Sequence, residues 1–188
     1  MRITDLLKKD SILLNQKLGS KTEAIDLLAS LHEKVGNLSD LSAYKSAILA
    51  REAQGSTAVG DGIAIPHAKS NAVKCPGLAA VTVPDGVDYE ALDGKPSNLI
   101  FMIAAPMDGD LHLEVLSRLM TMLMDRDFRK ELLAAKSADE FLAVIDKKET
   151  EKYPDEAKAA EPEKKDGYRV LAVTACPTGI AHTYMAAE

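Results

Sequence analysis

Hydrophobic and polar positions follow two different spacings along this chain, and together they indicate an α/β protein. After Ser20, apolar residues recur every three or four positions through Val35, the spacing of one face of a helix, and Gly36 ends the pattern. Two largely apolar runs, 78–83 and 98–104, have the length and composition of buried strands. The second run is apolar at consecutive positions, which predicts a central strand in a sheet whose two faces are both covered by helices.

Shorter patterns add further elements. The run 63–65 predicts a buried strand that ends at Pro66 and presents His67 at its end. Ser20 and Ser137, each followed three residues later by a glutamate, have the form of helix N-caps. Other predicted elements are helical segments at 3–9, 38–52, 111–124, 127–133 and 137–145 and a strand at 11–14. The predicted fold is an α/β domain with a central mixed β-sheet flanked by helices on both faces, an α/β/α sandwich.

The composition changes sharply near residue 149. From Glu149 to Gly167 the chain is mostly Glu, Lys, Asp, Ala and Pro, and Tyr153 is its only sizeable apolar side chain. Such a segment buries too little surface to order itself, so it predicts a mobile linker. The sequence therefore predicts a complete domain at 1–146, a linker at 147–167 and the incomplete start of a second domain at 168–188.

Charge and composition exclude several classes of function. The net charge is −6 and only 4% of the residues are aromatic, which argues against a nucleic-acid partner because phosphate backbones need a basic face. Charges interrupt the N-terminus too early for a signal peptide, and no apolar run approaches the roughly 20 residues that span a bilayer. We therefore expect a cytoplasmic protein. Its two cysteines lie in different contexts, so reduced thiols are expected.

The strongest chemical pattern is a glycine-rich run, 55–62, that leads through Pro66 to His67. A strand fixes the imidazole, while glycines let backbone N–H groups approach an anion closely. A neutral imidazole is a competent nucleophile at cellular pH. The plainer alternative is that a histidine beside proline and glycine is an ordinary turn residue.

The stretch from Arg51 to His67 resembles the signature R-E-x-x-G-S/T-x-x-G-x-G-x-A-I-P-H of the enzyme IIA domain in the fructose–mannitol class of bacterial sugar phosphotransferase systems. The resemblance implies that His67 carries a phosphoryl group as phosphohistidine. It places Arg51 beside that group, where the alternative is a cation stabilising the end of its own helix. Ser56 and Thr57 would donate to the phosphate or, equally, satisfy the turn.

Two further histidines are interpreted by their surroundings. The motif D-G-x-H-L around His112 resembles the family's second-histidine motif, which implies an imidazole that faces His67 and supports it. A position in the first turn of a helix depresses the pKa of a histidine and favours a nearby anion. The alternative for His112 is a core histidine satisfied by backbone groups. His32, among charged neighbours in the first long helix, is predicted to lie at the surface.

The C-terminal segment carries a second motif. Cys176 follows a strand-like run and precedes a predicted helix, a place where backbone N–H groups stabilise a thiolate. The loop C-P-T-G-I-A-H-T resembles the active-site loop of fructose-type enzyme IIB, in which the cysteine takes phosphate from enzyme IIA. The alternative is an inert buried thiol. Because the chain stops at Glu188, before a full IIB sheet could form, we expect this piece to be incomplete and inactive as an acceptor.

Taken together, the resemblance implies a phosphotransferase component. His67 would accept phosphate from the phosphohistidine of the general phosphocarrier protein HPr, with its other ring nitrogen held by a backbone carbonyl and with Arg51, His112 and Thr57 stabilising charge. No metal or cofactor is implied. The phosphate would pass to an EIIB cysteine and then, through the membrane subunit EIIC, to fructose or a related hexose.

Three rival hypotheses remain at this stage. A regulatory IIA-like protein would control a partner through its phosphorylation state. A metal site built from His67, His112 and a carboxylate lacks the usual short ligand spacing, and a cysteine hydrolase lacks the arginine at the end of its phosphate loop. The sequence does not identify the sugar, the oligomeric state or whether the gene product continues beyond Glu188.

Overall fold

Residues 2–154 are described by a computed structural model, and within this range six helices surround a mixed sheet of six strands. The helices are α1 Ile3–Leu6, α2 Lys21–Lys34, α3 Leu41–Ala53, α4 Leu111–Leu123, α5 Arg126–Ala134 and α6 Ala138–Lys152. The strands are β1 Leu7–Leu13, β2 Ala58–Gly60, β3 Ile63–Ala64, β4 His67–Lys69, β5 Gly77–Val87 and β6 Ser97–Ala105. None of the helices in this range is long and apolar enough to cross a membrane.

The sheet is organised around β6. The strand order is β1-β5-β6-β3-β2, and β4 also pairs with β6, as the continuation of the β3 line. The β5–β6 pair is antiparallel, whereas β1 pairs with β5, and β3 and β4 pair with β6, in parallel. The predicted central strand and the mixed sheet are both confirmed.

Each face of β6 belongs to a different hydrophobic core. Ile100, Met102 and Ala104 pack with residues of α2 and α3 on one face. The alternate residues Phe101 and Ile103 pack on the other face with residues of α1, α4, α5 and α6. Successive side chains of a strand point to opposite faces, so a run that is apolar throughout requires cover on both sides. The predicted α/β/α arrangement is confirmed.

Ser20 and Ser137 cap the N-termini of α2 and α6, as predicted. The Ser20 hydroxyl accepts a hydrogen bond from the Glu23 N–H at 3.2 Å, and the Glu23 carboxylate accepts from the Gly19 N–H at 2.7 Å. The same pair of bonds forms around Ser137 at the start of α6. The reciprocal bond thus reaches one residue earlier than in the standard capping box. Gly36, with φ +81°, follows the end of α2 as predicted.

The N-terminal prediction is wrong in its boundary. The helix predicted at 3–9 is a single turn ending at Leu6, and the strand begins at Leu7, four residues before the predicted start. Leu7 is 1% exposed and pairs with Leu78 of β5. The burial of Leu7 in the sheet therefore favours a strand here, in a segment whose alternation of apolar and charged residues predicted a helix.

The last helix extends beyond its predicted end at residue 145. Helix α6 continues to Lys152, through residues assigned to a linker beginning at 147. Glu149 is 1% exposed, and its carboxylate accepts a hydrogen bond from the Ile3 N–H at 2.6 Å and lies 3.5 Å from the guanidinium of Arg118. That guanidinium also lies 4.2 Å from the ring centre of Tyr153. Polar contacts to the N-terminus therefore order a segment that has few apolar residues.

Several predictions fall outside the described residues. The remainder of the linker beyond residue 154, the predicted start of an EIIB domain at 168–188 and Cys176 all lie there. They stay predictions.

Candidate active site around His67

His67 opens β4 after a two-residue interruption of the strand line. Ile63 pairs with Leu99 and His67 pairs with Ile103, so β3 and β4 keep one register along β6. Between them, the Pro66 carbonyl accepts a hydrogen bond from the Ile103 N–H at 2.9 Å, but a proline has no N–H to return. His67 therefore follows the end of β3, as predicted, and is itself fixed at the start of a second short strand.

The imidazole of His67 is oriented by the backbone just before it. Its Nδ1 lies 2.8 Å from the Ile65 carbonyl oxygen. A carbonyl oxygen can only accept, so Nδ1 carries a hydrogen, and in the neutral form of the ring Nε2 has the lone pair. The side chain is half-buried. The result is an imidazole that one backbone hydrogen bond orients, with Nε2 as the nitrogen that this bond does not use.

His112 lies close enough to His67 for their charges to interact. It is the second residue of α4, and burial lowers its pKa, with the positive charges of Lys69 and His67 lowering it further against the opposing effect of Asp110. Its Nδ1 is buried and, within the described residues, has no hydrogen-bond partner. The alternative of a core histidine satisfied by backbone groups therefore does not describe His112. A neutral ring with one unused nitrogen is available here.

Arg51 lies in the last turn of α3 and donates from Nη1 to the Gly55 carbonyl oxygen at 3.1 Å. This is the helix-end position that the sequence allowed as an alternative. The contact also attaches the guanidinium to the first glycine of the run that leads to His67. Its predicted contact with a phosphoryl group stays a prediction.

The two hydroxyl residues of the glycine-rich run have protein partners. Ser56 donates to the Tyr89 carbonyl oxygen at 2.7 Å and accepts from the Ala58 N–H at 3.2 Å. Thr57 is buried, and its hydroxyl forms a close hydrogen bond with the carboxylate of Glu52. These are the bonds of the turn-satisfying alternative, and phosphate binding by either hydroxyl stays a prediction.

Glu52 has a structural role in this region that the sequence pattern did not predict. It is 8% exposed, and its carboxylate accepts from the Thr57 N–H at 3.1 Å, the Tyr89 hydroxyl at 3.2 Å and the ammonium of Lys21 at 2.9 Å. The available signal was its place in the signature, next to Arg51. Helical spacing also places it four residues after the fully buried Ile48.

The surface prediction for His32 is wrong. His32 is fully buried, its Nε2 donates to the Met102 carbonyl oxygen at 3.1 Å, and its Nδ1 accepts from the Asn37 amide at 3.1 Å. Burial lowers its pKa to about 4, against the opposing effect of the bond to Met102. Ile25, Leu28 and His32 have the spacing of a buried helical stripe, and this spacing was the signal that could have placed it inside.

No group of three or more His, Cys, Asp or Glu side chains is arranged to hold a metal ion anywhere in residues 2–154.

The fold and the site together define a class: an α/β domain that presents one histidine, oriented by a backbone carbonyl, near a second histidine at a helix N-terminus. Residues 5–148 match the family described as phosphoenolpyruvate-dependent sugar phosphotransferase system, EIIA 2. The chain belongs to this family.

Three similar proteins extend the comparison. The fructose-specific EIIABC component of Bacillus subtilis is 50% identical over 192 residues, an alignment that covers all of this chain and 30% of the relative. The chain therefore spans less than a third of the length of that relative. The nitrogen regulatory protein IIA-Ntr of Neisseria meningitidis has a TM-score of 0.71 and 33% identity, with 76% of this chain and 98% of that chain covered.

The third is enzyme IIA of the mannitol system from Escherichia coli, solved in complex with phosphorylated enzyme IIB. It has a TM-score of 0.67 and 26% identity, with 76% of this chain and 99% of that chain covered.

Proposed function

We propose that this domain is the phosphoryl carrier of a sugar phosphotransferase system, with His67 as the carrier. His67 accepts phosphate from the phosphohistidine of HPr and passes it to an EIIB cysteine. The observation that supports this most directly is the 2.8 Å contact between Nδ1 of His67 and the Ile65 carbonyl oxygen, which leaves Nε2 as the nucleophile.

The proposed transfer uses the nitrogen that this contact leaves free. The Nε2 lone pair of His67 attacks the phosphorus in line, the new P–N bond forms as the donor's P–N bond breaks, and the donor imidazole leaves with that bonding pair. The His67 ring becomes cationic while Nδ1 retains its hydrogen. The bond from Nδ1 to the Ile65 carbonyl oxygen strengthens as the charge develops, since charge-assisted hydrogen bonds are stronger than neutral ones. Phosphoryl transfer of this kind depends on positioning and electrostatics.

His112 is proposed as the supporting group. Its lowered pKa keeps the ring neutral, so it offers an N–H to an oxygen of the phosphoryl group without adding a second cation. Its place at the N-terminus of α4 favours an anion in the same position. Arg51, Ser56 and Thr57 are proposed as further contacts to the phosphoryl oxygens.

The acceptor is proposed to be an EIIB domain. The mannitol relative was solved with phosphorylated enzyme IIB, and the alignment with the fructose-specific EIIABC component continues through residue 188. We assign 168–188 to the start of a fructose-type EIIB domain with Cys176 as its phosphate-accepting residue. We propose fructose as the sugar and EIIC as the membrane partner. The transfer is proposed to take place in the cytoplasm.

A regulatory role is the second candidate. The nitrogen regulatory protein of Neisseria meningitidis shares 33% identity and almost the same chain length as this domain. In that case His67 would still be phosphorylated, but no EIIB domain would receive the phosphate.

The test is phosphorylation in a reconstituted system of phosphoenolpyruvate, enzyme I and HPr, followed by intact-mass measurement and peptide mapping. One acid-labile phosphoryl group that is present in wild type and in Cys176→Ser but absent from His67→Ala is expected. Transfer onward to a complete fructose-type EIIB domain would separate transport from regulation. No labelling of wild type would overturn the carrier role.

A further inference from the structure

Glu52 is a buried carboxylate connected to His67 by a short series of hydrogen bonds. We propose that Glu52 is a positioning residue for phosphoryl transfer: it holds Thr57, Thr57 holds Ile65, and Ile65 orients the ring of His67. This inference rests on the proposed carrier function and adds to it a residue that does not touch the phosphoryl group.

The first link is a clamp on Thr57. One carboxylate oxygen of Glu52 accepts from the Thr57 N–H at 3.1 Å and lies 2.9 Å from the Lys21 ammonium. The other accepts from the Thr57 hydroxyl and from the Tyr89 hydroxyl, the latter at 3.2 Å. Because two of the donors belong to Thr57, its backbone and its side chain are held by the same group. The carboxylate is in turn fixed by Lys21 and Tyr89 from outside the loop.

The second and third links run through the backbone. The Thr57 carbonyl oxygen accepts from the Ile65 N–H at 3.1 Å. The Ile65 carbonyl oxygen accepts from Nδ1 of His67 at 2.8 Å. Ile65 is therefore held through its N–H by the loop that Glu52 clamps, and it holds His67 through its carbonyl oxygen.

Ile65 needs this support because of its place in the sheet. It lies in the gap between β3 and β4, where the register pairs with β6 skip residues 65 and 66 and the bond to β6 comes from the Pro66 carbonyl oxygen. Pro66, the next residue, has no N–H to form a ladder bond. Rotation of the Ile65 peptide plane would release Nδ1 of His67, and the ring could then adopt the other tautomer, in which Nε2 carries the hydrogen and cannot attack.

The donors around Glu52 keep their protons across the neutral range. Burial raises the pKa of the Tyr89 hydroxyl, and the negative charge of Glu52 raises it further. Burial alone would lower the pKa of Lys21, but its hydrogen bonds to Glu52 and Glu90 outweigh this and raise it. Lys21 and Tyr89 are therefore expected to stay protonated and to keep donating to Glu52 up to about pH 9.

Two substitutions separate the effect of the side-chain length of Glu52 from the effect of its charge. Glu52→Asp keeps the charge but withdraws the carboxylate from Thr57, whereas Glu52→Gln keeps the reach and removes the charge. In Gln, the amide oxygen can still accept from Lys21 and the Thr57 N–H, while the two hydroxyls can turn to accept from the amide NH₂. If Glu52 is a positioning residue, phosphorylation of Glu52→Asp by HPr should be about tenfold slower than that of wild type, because a small misplacement of the attacking group is costly in transfer reactions. The rate for Glu52→Gln should stay within about threefold of wild type.

The second readout is the tautomer of His67, measured by ¹⁵N NMR of the imidazole, which requires no phosphoryl donor. Wild type and Glu52→Gln are expected to show the hydrogen on Nδ1, and Glu52→Asp a mixture of tautomers. Glu149→Asp is the matched control: Glu149 is also a buried carboxylate that binds backbone N–H groups, but it packs against the N-terminus. It should lower the free energy of unfolding and leave the tautomer and the rate unchanged.

The outcomes distinguish this inference from the carrier function. Wild-type rate and an unchanged tautomer in Glu52→Asp would overturn the positioning role. A slow Glu52→Gln beside a normal Glu52→Asp would also overturn it, in favour of a charge effect. If wild type is not phosphorylated at all, the carrier function fails, and the tautomers still decide whether Glu52 orients His67.

Discussion

The Nδ1 hydrogen of His67 is donated to the carbonyl oxygen of Ile65, two residues earlier, over 2.8 Å. This one bond selects the tautomer and leaves Nε2 as the nitrogen with the lone pair in the neutral ring. The proposed attack by Nε2 depends on this bond, because a free imidazole would distribute its hydrogen between the two nitrogens.

The first prediction is that His67 and His32 adopt opposite tautomers. His67 should carry its hydrogen on Nδ1, whereas His32 should carry it on Nε2, which donates to the Met102 carbonyl oxygen. ¹⁵N NMR of the two rings at neutral pH distinguishes these forms directly. His32 serves as the internal reference, and the same tautomer at both positions would contradict the arrangement at His67.

The second prediction concerns His112→Ala. Phosphorylation of His67 by HPr should be roughly 100- to 1,000-fold slower, the effect of removing one preorganised donor to a developing charge. The labelled residue should remain His67, since His112 only supports the transfer. Rapid-quench kinetics with peptide mapping measures both. Labelling that moves to another residue, or an unchanged rate, would contradict the supporting role.

The third prediction is a pH dependence of stability caused by His32. Its pKa is about 4 in the folded protein and 6.5 when exposed, so the unfolded state takes up the proton first as the pH falls. The stabilising contribution is therefore complete above pH 6.5 and is lost as the pH falls from 6.5 towards 4. The total loss is about 3 kcal/mol in the free energy of unfolding.

Urea unfolding of wild type and His32→Gln at pH 7.5 and pH 4.5 isolates this contribution from that of the carboxylates. The difference between the two proteins should shrink at the lower pH. An equal difference at both pH values would mean that His32 does not control this dependence.

The fourth prediction concerns the end of the domain. A chain truncated after residue 146 should be less stable than one truncated after residue 154 by roughly 3 kcal/mol, because it leaves the Arg118 guanidinium and the Ile3 N–H without Glu149. Thermal unfolding of the two chains gives the comparison. Glu149→Gln in the longer chain should reproduce part of the loss, and equal stability of both truncations would contradict a stabilising role of Glu149.

Much of this architecture could be predicted from local patterns. The apolar run at 98–104 predicted a central strand covered on both faces, and the Ser20 and Ser137 caps predicted the starts of α2 and α6. These features depend on near-neighbour spacing, which a sequence displays directly. The Arg51–His67 signature likewise indicated His67 as the candidate phosphoryl carrier, a role that stays a proposal.

The tertiary structure decided what depends on distant partners. His32 and Glu52 look polar and ordinary in the sequence, and both are buried because Met102 and Thr57 offer them hydrogen bonds. Glu149 sits in a charged stretch and is ordered by Ile3, at the other end of the domain. A polar group can be buried only where the fold supplies its hydrogen-bond partners. The spacing of residues along the sequence does not show which distant residues become those partners. The sequence by itself determined the layers of the fold and indicated His67 as the candidate carrier, while only the folded chain determined which nitrogen of that ring donates to the backbone.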